Sequence, residues 1–284
     1  MTMRKNIIIF AICLSVIFTL VTGCIDEAES GGISENVTGQ QAESALTLYS
    51  SNDILYQVST INALLEGVYD GETDYESLKQ HGDFGIGTFS GLDGEMIELD
   101  GIVYQIKDDG IAYPVNDSMT TPFAAVTFFD ADTEDLITEP MNRSQTEDYL
   151  AALMPNRNIM YAIKINGTFD YVRTRSVPKQ EKPYPKLVEV TKDQPTFELE
   201  QVNGVIVGYW LPSYVEGINV PGYHLHFITE DRTAGGHVLE FGITEGTVGI
   251  DNTHRFFMEL PKSNEFLDSD LTKDTGSELE QVEK

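Results

Sequence analysis

The sequence predicts an α+β protein, two lobes of mixed or antiparallel β-sheet carrying a few short helices. Apolar runs of roughly four to eight residues, bounded by Gly, Asp and Pro, recur along the chain and read as strands. Helix-like segments are few and short, and they do not alternate strictly with the strands, which argues against a doubly wound parallel sheet.

Taken in order, Leu46-Thr-Leu-Tyr49 alternates like a strand. Residues 59–67 predict a short helix stopped by Gly67. Thr73-Asp-Tyr-Glu76 has the spacing of a capping box and opens a second helix running to Gln80. Residues 84–89, 96–99, 102–106 and 124–129 are strand-like, with Gly and Asp turns between them. Residues 144–154 predict a helix capped by Ser144, with Glu147 three residues on and Leu150, Leu153 and Met154 on one side. Strands follow at 159–165 and 169–172. Residues 177–195 contain Pro178, Pro183, Pro185 and Pro195 and suggest a boundary between an N-terminal lobe, 46–178, and a C-terminal lobe, 179–284. Residues 205–211, 247–250 and 256–260 are strand-like again.

The first residues have the form of an export signal. Arg4 and Lys5 precede an apolar run, 7–21, that is shorter than the roughly 20 residues a membrane span needs. It ends in Leu20-Val-Thr-Gly-Cys24, which resembles a lipobox, so residues 1–23 read as a signal peptide and Cys24 as the lipid-bearing residue. An uncleaved N-terminal anchor is the alternative, and both place the body outside the cytoplasmic membrane. The expected location is therefore the outer side of that membrane, held only through the lipid. Residues 24–45 are rich in Glu, Ser, Gly and Gln and read as a flexible tether. Both cysteines, Cys13 and Cys24, lie in the leader, so the mature body has no internal disulfide. The 46 acidic and 18 basic residues give a net charge of −28, a surface that repels nucleic acid.

Three of the five histidines fall between positions 224 and 237. His224 and His226 are two apart, and on a strand such residues share a face. The turn-rich stretch from Thr229 to Gly236 predicts a hairpin, which returns His237 towards the other two. Three converging imidazoles make a site for zinc or another divalent ion, with a fourth position open for water or substrate. Half-buried strand histidines with no ligand are the plain alternative. Glu95, opening a strand after an Asp-Gly turn, and Arg175 are charged residues with no local signal to lift them above a solvated surface. Two other readings stand beside the histidine hairpin. His224-x-His226-x3-Glu230 also fits a first cupin metal motif, although His254 lacks the neighbours a second one needs. A tethered, acidic, exported protein could also bind a metal or solute without catalysis.

Several segments together resemble the acetolactate decarboxylase family. They are Gly82-Asp-Phe-Gly-Ile-Gly-Thr-Phe89, Leu92-Asp-Gly-Glu-Met-Ile97, Tyr161-Ala-Ile-Lys-Ile165, Thr174-Arg-Ser-Val177, Gln180-Glu-Lys-Pro-Tyr184, Gly222-Tyr-His-Leu-His-Phe-Ile228 and Gly235-Gly-His-Val238. The resemblance runs from about Tyr56 to the C-terminus. It implies that His224, His226 and His237 hold zinc and that Glu95 and Arg175 line the site, with Thr88 as a smaller lining residue. It also implies that a tail glutamate, matched by Glu283, folds back into the site. Phe266, Leu267, Leu271, Leu279 and Val282 give that tail apolar anchors. The implied reaction is decarboxylation of 2-acetolactate to acetoin, with a homodimer as an open assembly state. The lipoprotein-type leader departs from the family's usual cytoplasmic setting.

Overall fold

The computed structural model describes residues 53–283. The signal segment, Cys24, the tether and the strand expected at 46–49 lie outside the described residues. β1 (Ile54–Val58) leads into the helix Ile61–Leu65, which starts where the Thr60 side chain accepts from the Ala63 amide. The next helix, Tyr75–Leu78, is capped by Asp74 and not by Thr73, because the Asp74 carboxylate accepts from the Ser77 amide. Thr73 and Asp74 are themselves β2, paired with β7 (Thr120–Thr121). A similar shift occurs at Arg143–Leu153. Asn142 and Gln145 form a reciprocal capping box there, so the helix begins ahead of the expected Ser144 cap.

The first sheet takes β3 (Phe84–Thr88), β4 (Glu95–Leu99), β5 (Ile102–Ile106), β6 (Ala112–Pro114), β8 (Ala124–Thr127) and β15 (Arg255–Glu259). With β1 its order is β15-β1-β8-β3-β4-β5-β6, antiparallel except where β15 runs parallel to β1. The second sheet is built on long strands. The runs expected at 159–165 and 169–172 are one strand, β11 (Met160–Arg175), and the pieces expected after His237 and at 247–250 merge into β14 (Gly235–Thr253). The reason is the ladder. Continuous pairing between β11 and β14 carries the polar stretches through, with register shifts near Phe169 and Thr174 that bend the strand.

β11 also pairs with β12 (Thr196–Leu211), β12 with β13 (Gly222–Thr229), and β13 returns to β14. The four strands thus close on themselves, with β9 (Thr133–Ile137) and β10 (Met141–Asn142) added along β14. The proline-rich segment runs between β11 and β12, two strands of one sheet. Peptide bond Lys182–Pro183 within it is cis.

The sheets meet through a shared core in which Phe84, Ile97 and Ile106 of the first pack with Ala162, Val207 and Ile228 of the second. Burying one such Ile or Phe side chain is worth about 1.5–3 kcal/mol, so this layer fixes one sheet against the other. A separate apolar cluster holds the three helical segments nearest the site: Ile61–Leu65, Leu187–Val190 and the tail helix Gly276–Glu283. Leu279 and Val282 are the buried anchors of that tail, whereas Leu267, also expected to anchor it, is 66% exposed.

Candidate metal centre

Strand register builds the site. Arg175 on β11 pairs with His237 on β14, and His237 pairs in turn with His226 on β13. Residues directly opposite in a ladder project to the same face, so the closed sheet lines up one guanidinium and two imidazoles. His224, two residues from His226, joins them from the same face. The first sheet supplies a second row, Thr88 on β3 paired with Glu95 on β4.

The Gly-Gly before His237 makes this approach feasible. A Cβ at Gly235 would lie 2.2 Å from the Phe227 carbonyl oxygen, and one at Gly236 2.4 Å from that of Arg175. Gly236 also has φ +139°, which side chains disfavour. Any larger residue at either position would push β13 or β11 away from His237.

The ligand nitrogens of His224, His226 and His237 all lie within 4.8 Å of one another, and the residues are buried. The Nδ1 of His226 lies 2.9 Å from the Met96 carbonyl. A carbonyl only accepts, so Nδ1 carries the proton and Nε2 keeps its lone pair. That Nε2 is buried with no protein hydrogen-bond partner, as are the Nδ1 atoms of His224 and His237. Three clustered imidazoles, each with a buried ring nitrogen lacking a protein partner, suit a cation better than a plain core, where buried polar atoms are paired. Burial, with Arg175 adding repulsion, holds the His224 pKa down to about 3. Burial first, then neighbouring positive groups, keeps His226 and His237 well below the usual value. All three are therefore neutral at pH 7, as metal ligation requires.

Two carboxylates flank the imidazoles. Glu283 Oε2 sits 3.7 Å from Nε2 of both His224 and His237, and Glu95 Oε2 sits 3.7 Å from Nε2 of His226. Arg175 donates through Nη1 to Glu95 at 3.2 Å and through Nη2 to the Val282 carbonyl at 3.1 Å. Its Nε is buried without a partner. Burial raises Glu95 to about 7, with Arg175 opposing and Glu283 adding to the rise. Burial also raises Glu283, against the pull of Arg175 and Arg143. Thr88 turns its hydroxyl away, donating at 2.7 Å to the Gly94 carbonyl, and so shapes the turn that leads to Glu95.

All seven residues singled out in the sequence line one cavity of about 40 Å³, whose lining also includes the apolar Leu64, Leu92, Val177 and Leu187. One water needs roughly 10–15 Å³ on this measure, so the space suits a small molecule and no polymer. The sequence does not mark this apolar wall, because periodicity cannot separate a cavity-lining leucine from a core leucine. Nor does it mark the Met96 and Val282 carbonyls, which act through the backbone. Glu230 and His254, invoked by the cupin reading, are exposed.

Fold and site together define a β-rich protein with a buried three-histidine centre bracketed by two glutamates and an arginine. Residues 55–273 match the profile of the alpha-acetolactate decarboxylase family. The alpha-acetolactate decarboxylase of Methanosarcina mazei is 52% identical over 258 residues, which cover 90% of this chain and 89% of that protein. That of Brevibacillus brevis is 39% identical over 282 residues, 99% of each chain. The crystal structure of alpha-acetolactate decarboxylase from Bacillus subtilis strain 168 superposes with a TM-score of 0.79 at 43% identity, covering 81% of this chain and 99% of that one. The chain belongs to the alpha-acetolactate decarboxylase family and is an enzyme. This membership replaces the cupin and simple binding-protein readings. Glu283 lies beyond the matched segment, and its place beside the histidines rests on geometry.

Proposed function

We propose that this protein decarboxylates 2-acetolactate to acetoin at a zinc site held by His224, His226 and His237. The observation that carries the reading is the convergence of three neutral imidazoles, two glutamates and a partly unsatisfied arginine on one small cavity. An all-imidazole set with an open position suits zinc, and a bound divalent ion supplies Lewis-acid stabilisation of the negative charge left when CO2 departs.

The other groups have separable roles. Arg175 orients the substrate carboxylate, using the Nε donor that the protein leaves without a partner, before the carbon–carbon bond breaks. The electron pair of that bond then stays on the carbon skeleton, delocalised onto the neighbouring carbonyl. A proton must reach that carbon to give acetoin. Burial raises both Glu95, to about 7, and Glu283, which makes the pair the candidate proton carriers that could deliver from a fixed side. Delivery to one face yields one acetoin enantiomer. The apolar wall offers no proton donor to the other face.

The leader adds a proposal about place: lipid attachment at Cys24 tethers the enzyme outside the cytoplasmic membrane, and the lipobox pattern supports it. Cys24→Ser should leave the precursor unprocessed, and radiolabelled fatty acid failing to appear on the wild-type protein would refute lipidation. The catalytic reading is tested by following CO2 and the acetoin enantiomers from racemic acetolactate. A wild-type enzyme releasing both enantiomers equally would contradict the positioned acid.

A further inference from the structure

We infer that Asn62 and Thr275 form a positioning pair that sets the Glu283 carboxylate in the site, an inference that rests on the proton-transfer reading of Glu283. Asn62 is on the helix Ile61–Leu65 and Thr275 immediately precedes the tail helix Gly276–Glu283. They are 7% and 6% exposed. The Thr275 hydroxyl donates to Asn62 Oδ1 at 2.5 Å, and Asn62 Nδ2 donates to the Leu271 carbonyl at 3.3 Å. One amide side chain therefore grips the tail at two points just ahead of its helix. The Asn62 backbone N–H donates to the Gly217 carbonyl, which ties the gripping residue to the body.

The grip matters because the apolar packing and the lysine ion pairs that also hold the tail are poorly directional. Leu279 and Val282, three apart on one helix face, pack into the apolar cluster beside the cavity. Apolar burial is non-directional, so it holds the helix down without fixing its position along or about its axis. The ion pairs are weak substitutes. Lys186 reaches Glu66 at 2.7 Å and Glu278 at 3.8 Å, and Lys273 reaches Glu66 at 3.6 Å. Both lysines are 38–50% exposed, where solvent screens such pairs and leaves them little hold on the helix.

Among the described residues, two buried, directional contacts stand at the two ends of the tail helix. Thr275 holds the start of the helix, where its carbonyl also accepts from the Leu279 amide, and Arg175 holds the end through the Val282 carbonyl. The eight-residue helix that follows Thr275 and ends at Glu283 spans about 12 Å at 1.5 Å per residue. A slip of one ångström at the Thr275 end would be carried along this rigid rod to Glu283. A misplacement of that size can lower a rate about 10²-fold.

The test uses the full protein loaded with zinc. Thr275→Val keeps the side-chain shape and removes the hydroxyl, so kcat should fall about 10- to 100-fold with KM and zinc content unchanged. Amide hydrogen exchange in residues 276–283 should quicken, while Thr275→Ser should restore both rate and protection. Asn62→Ser, too short to reach Leu271 or Thr275, should repeat the loss if Thr275→Val does not fold. In a Glu283→Gln background, Thr275→Val should cost nothing further. A wild-type kcat in both Thr275→Val and Asn62→Ser would overturn the inference while leaving Glu283 in its role. An undiminished loss in the Glu283→Gln background would also overturn it, by showing a general structural effect. A wild-type rate in Glu283→Gln itself would instead remove the underlying reading.

Discussion

Arg175 and Glu95 meet at 3.2 Å with side chains only 5% and 9% exposed, yet the pair is not a closed ion pair. Burial outweighs the guanidinium and raises Glu95 to about 7, so the carboxyl carries a proton for much of the neutral range. A partly protonated partner does not fully neutralise the arginine. With Nε unpartnered as well, Arg175 keeps binding capacity for a second, substrate carboxylate.

Arg175→Lys is therefore expected to be far from conservative. Lysine has neither the planar fork nor the reach to serve Glu95, the Val282 carbonyl and a substrate together. We expect kcat/KM to fall roughly 10²–10³-fold, the range seen when one positioned donor is lost. Zinc content should not change, since Arg175 is not among the ligand nitrogens. Steady-state kinetics beside metal analysis checks both parts, and near-normal kinetics would return Arg175 to a structural role.

The histidine assignment predicts a different signature. His226→Ala removes the one imidazole oriented by the Met96 carbonyl, and bound zinc should drop below stoichiometric, with activity nearly abolished. The fold should survive, because the sheets are held by the apolar layers. Stoichiometric zinc in a His224/His226 double variant would place the metal elsewhere.

Glu98 supplies a stability prediction independent of the site. It is fully buried, neither carboxylate oxygen has a hydrogen-bond partner, and burial, with Asp83 adding, raises its pKa to about 8 against Lys79. The folded protein then keeps this proton between its ordinary value of 4.5 and about 8, while the unfolded chain releases it. Its contribution is fully present below 4.5 and is lost as pH rises to about 8, by up to a few kcal/mol. Denaturant unfolding at pH 5 and pH 8 should show a smaller loss in Glu98→Gln than in wild type. Parallel pH profiles for the two proteins would disprove it.

How much of this was legible depended on sequence distance. The i, i+2 histidines and the turn before His237 are local, so strand periodicity alone assembles the three imidazoles. The α+β class follows from equally local patterns. Helix starts moved by one or two residues because Asp74 and Asn142 outcompeted Thr73 and Ser144 as caps. The pairing of Arg175 with His237 depends on a long ladder whose register no short window reveals. Family resemblance supplied Arg175, Glu95 and Glu283, whose own neighbourhoods look like ordinary surface. Asn62 carried no signal at all, because its partners Leu271 and Thr275 are non-local.

The most direct measurement is turnover by the purified protein with and without its metal. Supplied with racemic acetolactate, the zinc-loaded protein should release CO2 and one acetoin enantiomer. Removal of the metal by chelation should abolish both products, and stoichiometric zinc should restore them. CO2 release that persists undiminished in verified metal-free protein would contradict a decarboxylase built on His224, His226 and His237.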